Sequence, residues 1–218
     1  MASDPKIYRG YGALRIGRWS QTGSDYFLTG CLHRPLTGLT TEPLASIVQS
    51  KLREIESAGK WHLRTFVLMP DHFHVLATLG PGGDLSGTVR LFKGPLTPML
   101  RTHGLRWQTN FYDHRLRSVD EVQPTLLYIF LNPYRAGLVK AGAKWPWYYC
   151  APEDWAWFSA LTDESLPFPE WLRRPRLSGV KPDLRPTTAH AMSAAHYARR
   201  LCGAVHQHFF ARITWSQS

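Results

Sequence analysis

Two short stretches of this 218-residue sequence carry side chains that can do chemistry together. The first is His72-Phe73-His74. On a β-strand, residues two apart share a face and lie about 6.6 Å apart. Both imidazoles then project together, while Phe73, Val75, Ala77 and Leu79 point the other way into a core. Two such histidines can share one divalent metal through neutral ring nitrogens. The plainer alternative is two histidines on a solvated sheet face. The second stretch is Leu126-Leu127-Tyr128-Ile129-Phe130-Leu131-Asn132-Pro133. On a helix, Tyr128 and Asn132 lie four apart and face the same way. A phenol beside a carboxamide oxygen suits a nucleophile next to a third metal ligand. The alternative is a Tyr at a helix boundary and an Asn that ends the helix before Pro133.

The elements that must position these residues follow from pattern. Asp25–His33 is rich in β-formers and reads as a first strand. Thr40 or Thr41 can cap a helix reaching about Ala58, with Leu44, Ile47, Val48, Leu52 and Ile55 on one face and Gly59 as its stop. Trp61–Met69 and His72–Leu79 read as a hairpin of two strands around Pro70-Asp71. Asp84 caps a second helix carrying Leu85, Val89 and Phe92, which Pro95 and Pro98 should kink or split. Arg106–Leu116 reads as a fourth strand, and a third helix starts near Val119. The order is β-α-β-β-α-β-α. This is an α+β, ferredoxin-like sandwich: a central antiparallel sheet carrying the His pair, with helices packed on one sheet face.

With both signals placed, a family resemblance emerges. Phe66-Val67-Leu68-Met69-Pro70-Asp71-His72-Phe73-His74-Val75-Leu76 resembles the vvMPNHvHll signature of the REP-associated tyrosine transposases. Trp107-Gln108-Thr109-Asn110-Phe111-Tyr112-Asp113-His114 is similar to their WQ.gFyDh. Tyr128-Ile129 with Asn132-Pro133-Tyr134-Arg135-Ala136-Gly137-Leu138-Val139 resembles YI..NPvRAGLV, and Trp145-Pro146-Trp147 resembles their closing WpwSS. The four motifs occur in family order over about residues 10–150. Asp71 stands where the family usually has Asn, and Tyr148-Tyr149 where it has two serines.

The family is a branch of the single-tyrosine HUH (His-hydrophobic-His) endonucleases, the transposases of small insertion sequences. The resemblance implies Tyr128 as nucleophile, with His72, His74 and Asn132 holding Mg²⁺ or Mn²⁺. Asp113 and His114 become candidates for proton transfer or bracing, and Arg135 for a phosphate contact. It further implies a single-stranded REP palindrome folded as a hairpin for substrate, cut and rejoined through a 5′-phosphotyrosine. A domesticated hairpin-binding protein without turnover is the alternative. A tyrosine in the same domain as its His pair permits a monomer or a homodimer. An RNA-binding sandwich would need an RNP-like aromatic strand motif, which is not present.

Composition agrees with a globular nucleic-acid protein. Hydrophobic residues at 44% exclude global disorder. No apolar run approaches the roughly 18 residues of a membrane span. Met1–Lys6 lacks the apolar core of a secretory signal, and Cys31, Cys150 and Cys202 form no C-x-x-C pair. The expectation is a cytoplasmic, nucleoid-associated protein.

The net charge of +10 is concentrated at the ends. Residues 1–24 form a basic arm containing Arg15 and Arg18, 25–158 the endonuclease domain, 159–188 a Pro/Arg-rich linker, and 189–218 a helical tail. The linker and its edge carry Arg173, Arg174, Arg176, Lys181 and Arg185 as candidate DNA contacts. The stretch 25–172 is formally neutral. Trp145, Trp147, Tyr148, Trp155 and Trp157 offer faces for base stacking or for packing.

Overall fold

In the computed structural model of the protein, the residues described are 20–159 together with Leu166, Pro167 and Leu172. The basic arm up to residue 19, nearly all of the linker and the tail lie outside them, as do Arg15, Arg18, Arg173, Arg174, Arg176, Lys181 and Arg185.

Strands β1 (Asp25–Cys31) and β3 (His72–Leu79) are buried on both faces, as central strands covered on two sides should be. β3 lies between β1 and β2 (Trp61–Leu68), with β4 (Tyr112–Arg115) beyond β1 and β5 (Tyr148–Cys150) beyond β2. Every pairing is antiparallel. The link from β1 to β2 therefore crosses β3, which is the split βαβ arrangement expected of a ferredoxin-like sheet. β5 was not foreseen. Part of the aromatic cluster pairs with Thr65, Phe66 and Val67 and extends the sheet at that edge.

Alternation on β3 decides what each face holds. Phe73, Val75, Ala77 and Leu79 enter a core with α1 (Leu44–Ser57) and α2 (Leu85–Thr102). Gly30 lies opposite Phe73 because a Cβ there would come within 2.3 Å of the Phe73 ring. Leu76 enters a second core with Phe27, Val67, Leu126 and Ile129, covered by α3 (Val122–Arg135). The helices thus pack on both faces, two against one, rather than on a single face. A short helix α4 (Pro152–Ser159) is tied to the sheet by Arg64, which bonds Asp154 and reaches Asp25 on β1 at 2.6 Å.

Helix ends follow a common device. Gly59, Gly104 and Gly137 all have φ near +70°, a conformation cheap only for glycine. Each sits one residue past its helix cap and closes a Schellman pair, for example Gly59 N to Glu56 O and Lys60 N to Ile55 O. At the start of α1, however, no side chain caps the helix. It begins at Leu44 behind Pro43, and Glu42 bonds Ser46 instead of a threonine serving as cap.

Three further expectations need correction. α2 runs unbroken through Pro95 and Pro98. Its residues 91, 94, 95 and 98 form the exposed stripe, so the carbonyls of Leu91 and Gly94 that lose a partner face water. Gly94 also has no Cβ to clash with the ring of Pro95. The fourth strand is short: Trp107 makes one bridge to Leu32, and regular pairing starts only at Tyr112. Between them, Lys93 Nζ donates to the carbonyls of Gln108 and Asn110 and holds that segment against α2. α3 is preceded by a 3-10 turn, Val119–Glu121, and continues through Asn132 and Pro133 to Arg135. Burial of Leu126, Ile129, Phe130, Leu131 and Tyr134 outweighs the local cost of Pro133.

Candidate functional site

β3 delivers His72 and His74 to the face covered by α3, with ring centroids 4.7 Å apart. They are 5% and 2% exposed, so this is not a solvated sheet face. Each ring is oriented from behind. Asp71 Oδ1 accepts from His72 Nδ1 at 2.6 Å. A carboxylate can only accept, so Nδ1 carries the proton and Nε2 keeps its lone pair for a ligand. Thr29, opposite His74 in the β1–β3 register, bonds His74 Nδ1 at 2.8 Å. Phe27 stacks on the same ring at 5.3 Å.

α3 brings Tyr128 onto this pair. Its Oη lies 3.4 Å from His74 Nε2, and the two rings meet edge-on at 5.3 Å. Burial pushes the phenol up to about 12, opposed by Asn132 and by the charge of Arg135. Asn132 lies one turn on, 2% exposed, and its carboxamide oxygen and nitrogen find no full hydrogen bond. Such a buried amide is costly unless something completes it. Arg135 follows at the next turn. Burial lowers its guanidinium to about 10, partly offset by Tyr128, so it remains a cation at neutral pH.

The residues present suit a divalent ion. Two imidazoles with outward Nε2 lone pairs and an uncompleted carboxamide oxygen form an N,N,O donor set. Among the described residues there is no group of three His, Cys, Asp or Glu, so a third donor beside the His pair would have to come from a side chain such as Asn132. All of these side chains come from one chain, so the cluster needs no second copy.

Other expected residues are placed elsewhere. Asp113 pairs opposite Leu28 and so faces the α1–α2 core, away from the His pair. His114 is on the correct face but lies in the column of Phe27 and Leu76, where it bonds Glu121 at 3.0 Å. The residue aligned with His74 through Thr29 is Tyr112, whose phenol is raised by burial. Neither Tyr112 nor Thr29 was singled out from the sequence. Their signal was the alternation Phe27-Thr29-Cys31 once its register with β3 is known.

The aromatic cluster is used for packing. Trp145 Nε1 donates to Leu68 O at 3.0 Å, and Trp147 packs on the α1–α2 core. Tyr149 lies under Arg53, while Tyr148 and Trp155 pack on Phe130. The Trp157 side chain lies outside the described residues.

Comparison with known proteins agrees with this geometry. The model of the family described as "Transposase IS200 like" matches residues 34–119, which span α1, β2, β3, α2 and β4. A REP-associated tyrosine transposase of Escherichia coli K12 is 26% identical over 125 residues, covering 57% of this chain and 74% of that protein. A solved structure of a REP-associated tyrosine transposase bound to a REP hairpin matches with a TM-score of 0.53 at 26% identity. That match covers 60% of this chain and 79% of the other. With the HUH strand, the tyrosine helix and the sheet order all in place, the chain is similar to the IS200-like transposases and, among them, to the REP-associated tyrosine transposases.

Proposed function

We propose that this protein binds single-stranded REP-type hairpins, cuts the strand beside them and rejoins it through a 5′-phosphotyrosine on Tyr128. His72, His74 and Asn132 would hold Mg²⁺ or Mn²⁺. The observation that carries the reading is the buried Tyr128 hydroxyl, 3.4 Å from His74 Nε2, with Asn132 one turn further on. The hairpin bound to the solved relative supports the substrate class.

When bound, the ion would supply Lewis acidity at the scissile phosphate. The chain's own residues set the rest. Tyr128 Oη forms the bond to phosphorus as the bond to the departing 3′ oxygen breaks, and that oxygen takes up a proton. With a pKa near 12, about one phenol in 10⁵ is ionised at pH 7, so the proton must leave as attack proceeds. Arg135, on the same stripe of α3, puts a positive charge beside the developing phenolate. Asp71 and Thr29 hold the imidazoles in one orientation throughout. Rejoining is the reverse: a 3′-hydroxyl attacks the phosphotyrosine, one bond forms as another breaks, and no nucleotide cofactor is consumed.

One observation favours the second reading, hairpin binding without turnover: Tyr128 is only 9% exposed. The two separate in a single assay. A 5′-tailed hairpin oligonucleotide is incubated with the full chain and Mn²⁺, and denaturing electrophoresis looks for a covalent adduct. The expected adduct disappears in Tyr128→Phe while hairpin binding persists. An adduct that survives the substitution removes Tyr128 as nucleophile, and tight binding with no adduct in wild type establishes the second reading.

A further inference from the structure

A second buried phenol shares the pocket of Tyr128, and the proposed reaction leaves it idle. Tyr112, at the start of β4, pairs with Thr29, which pairs on its other side with His74. The three residues form one row across the sheet, so Tyr112 and His74 stand two strands apart, about 10 Å. Phe27, one step along the same face of β1, joins them. Its ring stacks on His74 at 5.3 Å and meets Tyr128 edge-on at 5.8 Å and Tyr112 edge-on at 6.2 Å. Phe27 thus carries three rings: His74 from β3, Tyr112 from β4 and Tyr128 from the covering helix α3.

Tyr112 is 6% exposed, and no hydrogen bond among the described residues engages its hydroxyl. A hydroxyl kept from water without a partner costs about 1–3 kcal/mol, so one at this depth calls for a use. Burial first, then Asp113, then Tyr128 oppose the loss of its proton, so Tyr112 stays a neutral donor. That Tyr128 acts on it places the two phenols within electrostatic reach of each other.

Tyr128, in turn, stands to lose the contact it has. Its Oη rests 3.4 Å from His74 Nε2. That nitrogen cannot keep the hydroxyl and also ligate an ion, so its use as a ligand leaves the nucleophilic oxygen without it. Of the other groups that act on this oxygen, Asn132 is the proposed third ligand and Arg135 acts through its charge. Tyr112 is the neutral donor still uncommitted in the pocket.

We infer that Tyr112 is a further catalytic residue, whose hydroxyl donates a hydrogen bond to Tyr128 Oη while that oxygen carries negative charge. In cutting, this happens as the Tyr128 proton leaves and the bond to phosphorus forms. In rejoining, it happens as the same oxygen–phosphorus bond breaks and Tyr128 departs as a phenolate before taking up a proton. Tyr112 keeps its own proton and forms no covalent bond in either direction. The inference rests on Tyr128 as nucleophile and adds the group that steadies its charge.

The test uses the full chain with Mn²⁺ and a 5′-tailed hairpin oligonucleotide, and compares wild type with Tyr112→Phe. Cutting is followed as single-turnover adduct formation, and rejoining by adding a strand with a free 3′-hydroxyl to the isolated adduct. Phe keeps the ring against Phe27 and the lost hydroxyl has no protein partner, so the metal-free melting transition should not move. Hairpin and Mn²⁺ affinities should also hold, while both rates fall by at least about tenfold and by the same factor. The factor is common because both directions share one transition state, so the final level of adduct stays as in wild type.

A second comparison separates charge from packing. A ring-fluorinated tyrosine in place of Tyr128 forms a less basic phenolate that needs less help from a donor. With it, the loss caused by Tyr112→Phe should shrink. Unchanged rates, a lowered melting transition, or a loss of the same size with and without the fluorine would each overturn Tyr112 as the donor while leaving Tyr128 in place. An adduct that is absent from wild type, or that survives Tyr128→Phe, would remove the nucleophile assignment itself, and Tyr112 with it.

Discussion

Tyr128→Phe tests the closed site by stability as well as by chemistry. The phenol is buried and its pKa stands at about 12, against about 10 in an unfolded chain. For an acid whose folded pKa is raised, the neutral form is the one the fold prefers. The contribution is therefore fully present below pH 10 and is lost as pH rises towards 12. With those two values the loss is about 1.4 kcal/mol at pH 11 and approaches about 2.7 kcal/mol above pH 12.

The substitution removes this dependence and little else. The contact to His74 at 3.4 Å is at the outer limit of a hydrogen bond, so at pH 8 the two proteins should agree within about 1 kcal/mol. Tyr134 and Tyr148 are also raised by burial and cancel in the difference; Tyr112, raised first by burial and then by Asp113, owes only its smallest contribution to Tyr128. Urea unfolding of wild type and variant at pH 8 and pH 11 provides the measurement. The variant should gain about 1.4 kcal/mol on wild type between the two pH values. If the two curves stay parallel, the hydroxyl reaches water in the folded protein, and the account of a proton-bearing, enclosed nucleophile is wrong.

Asp71→Asn keeps a hydrogen-bonding side chain behind His72 but removes the charge; Mn²⁺ affinity measured by calorimetry should fall about tenfold, and an unchanged affinity would remove Asp71 from the orientation of that ring. Arg64→Ala leaves Asp154, 7% exposed, without its partner and cuts the tie from α4 to β1. The expected cost is about 3 kcal/mol in urea unfolding, and a cost below about 1 kcal/mol would show that the tie is solvent-screened. Gly30→Ala forces a methyl against the Phe73 ring and should cost about 1–3 kcal/mol. Adding Phe73→Leu should recover part of that loss, and strict additivity of the two would contradict their contact.

The sequence made the grouping of the candidate residues legible because strand and helix periods place side chains without tertiary knowledge. His72 and His74 had to share a face once their segment was a strand, and Tyr128 and Asn132 had to share one once theirs was a helix. What periodicity does not contain is which surface of each element finds a partner. Pro95 and Pro98 looked like breaks because a proline's missing N–H is a local fact. Whether the orphaned carbonyl is buried depends on how α2 docks, and it docks with residues 91, 94, 95 and 98 towards water. Asp113 and His114 looked equivalent as neighbours, yet the register with Leu28 and Phe27 sends them to opposite faces. The run 106–111 has strand-forming residues but is captured by Lys93, a long-range contact with no sequence signature.

Charge shows the same limit most clearly. Counted along the chain, the middle of the sequence is neutral and the excess lies at the ends, which points to the ends as the grip on DNA. Folding redistributes that neutrality. Glu54 and Glu56 are answered on α1 by Lys51 and Arg53, and Asp25 and Asp154 by Arg64. These acids spend their charge on neighbours within α1 or along the sheet edges. Arg90 and Arg101 of α2 and Arg106 of the following segment have no such answer among the described residues and line one groove. A zero sum over the segment is thus a poor guide to its field, because a phosphate approaching within a Debye length of about 8 Å responds to the local imbalance. The basic ends can still add affinity, but the folded domain already carries a directed patch of positive charge.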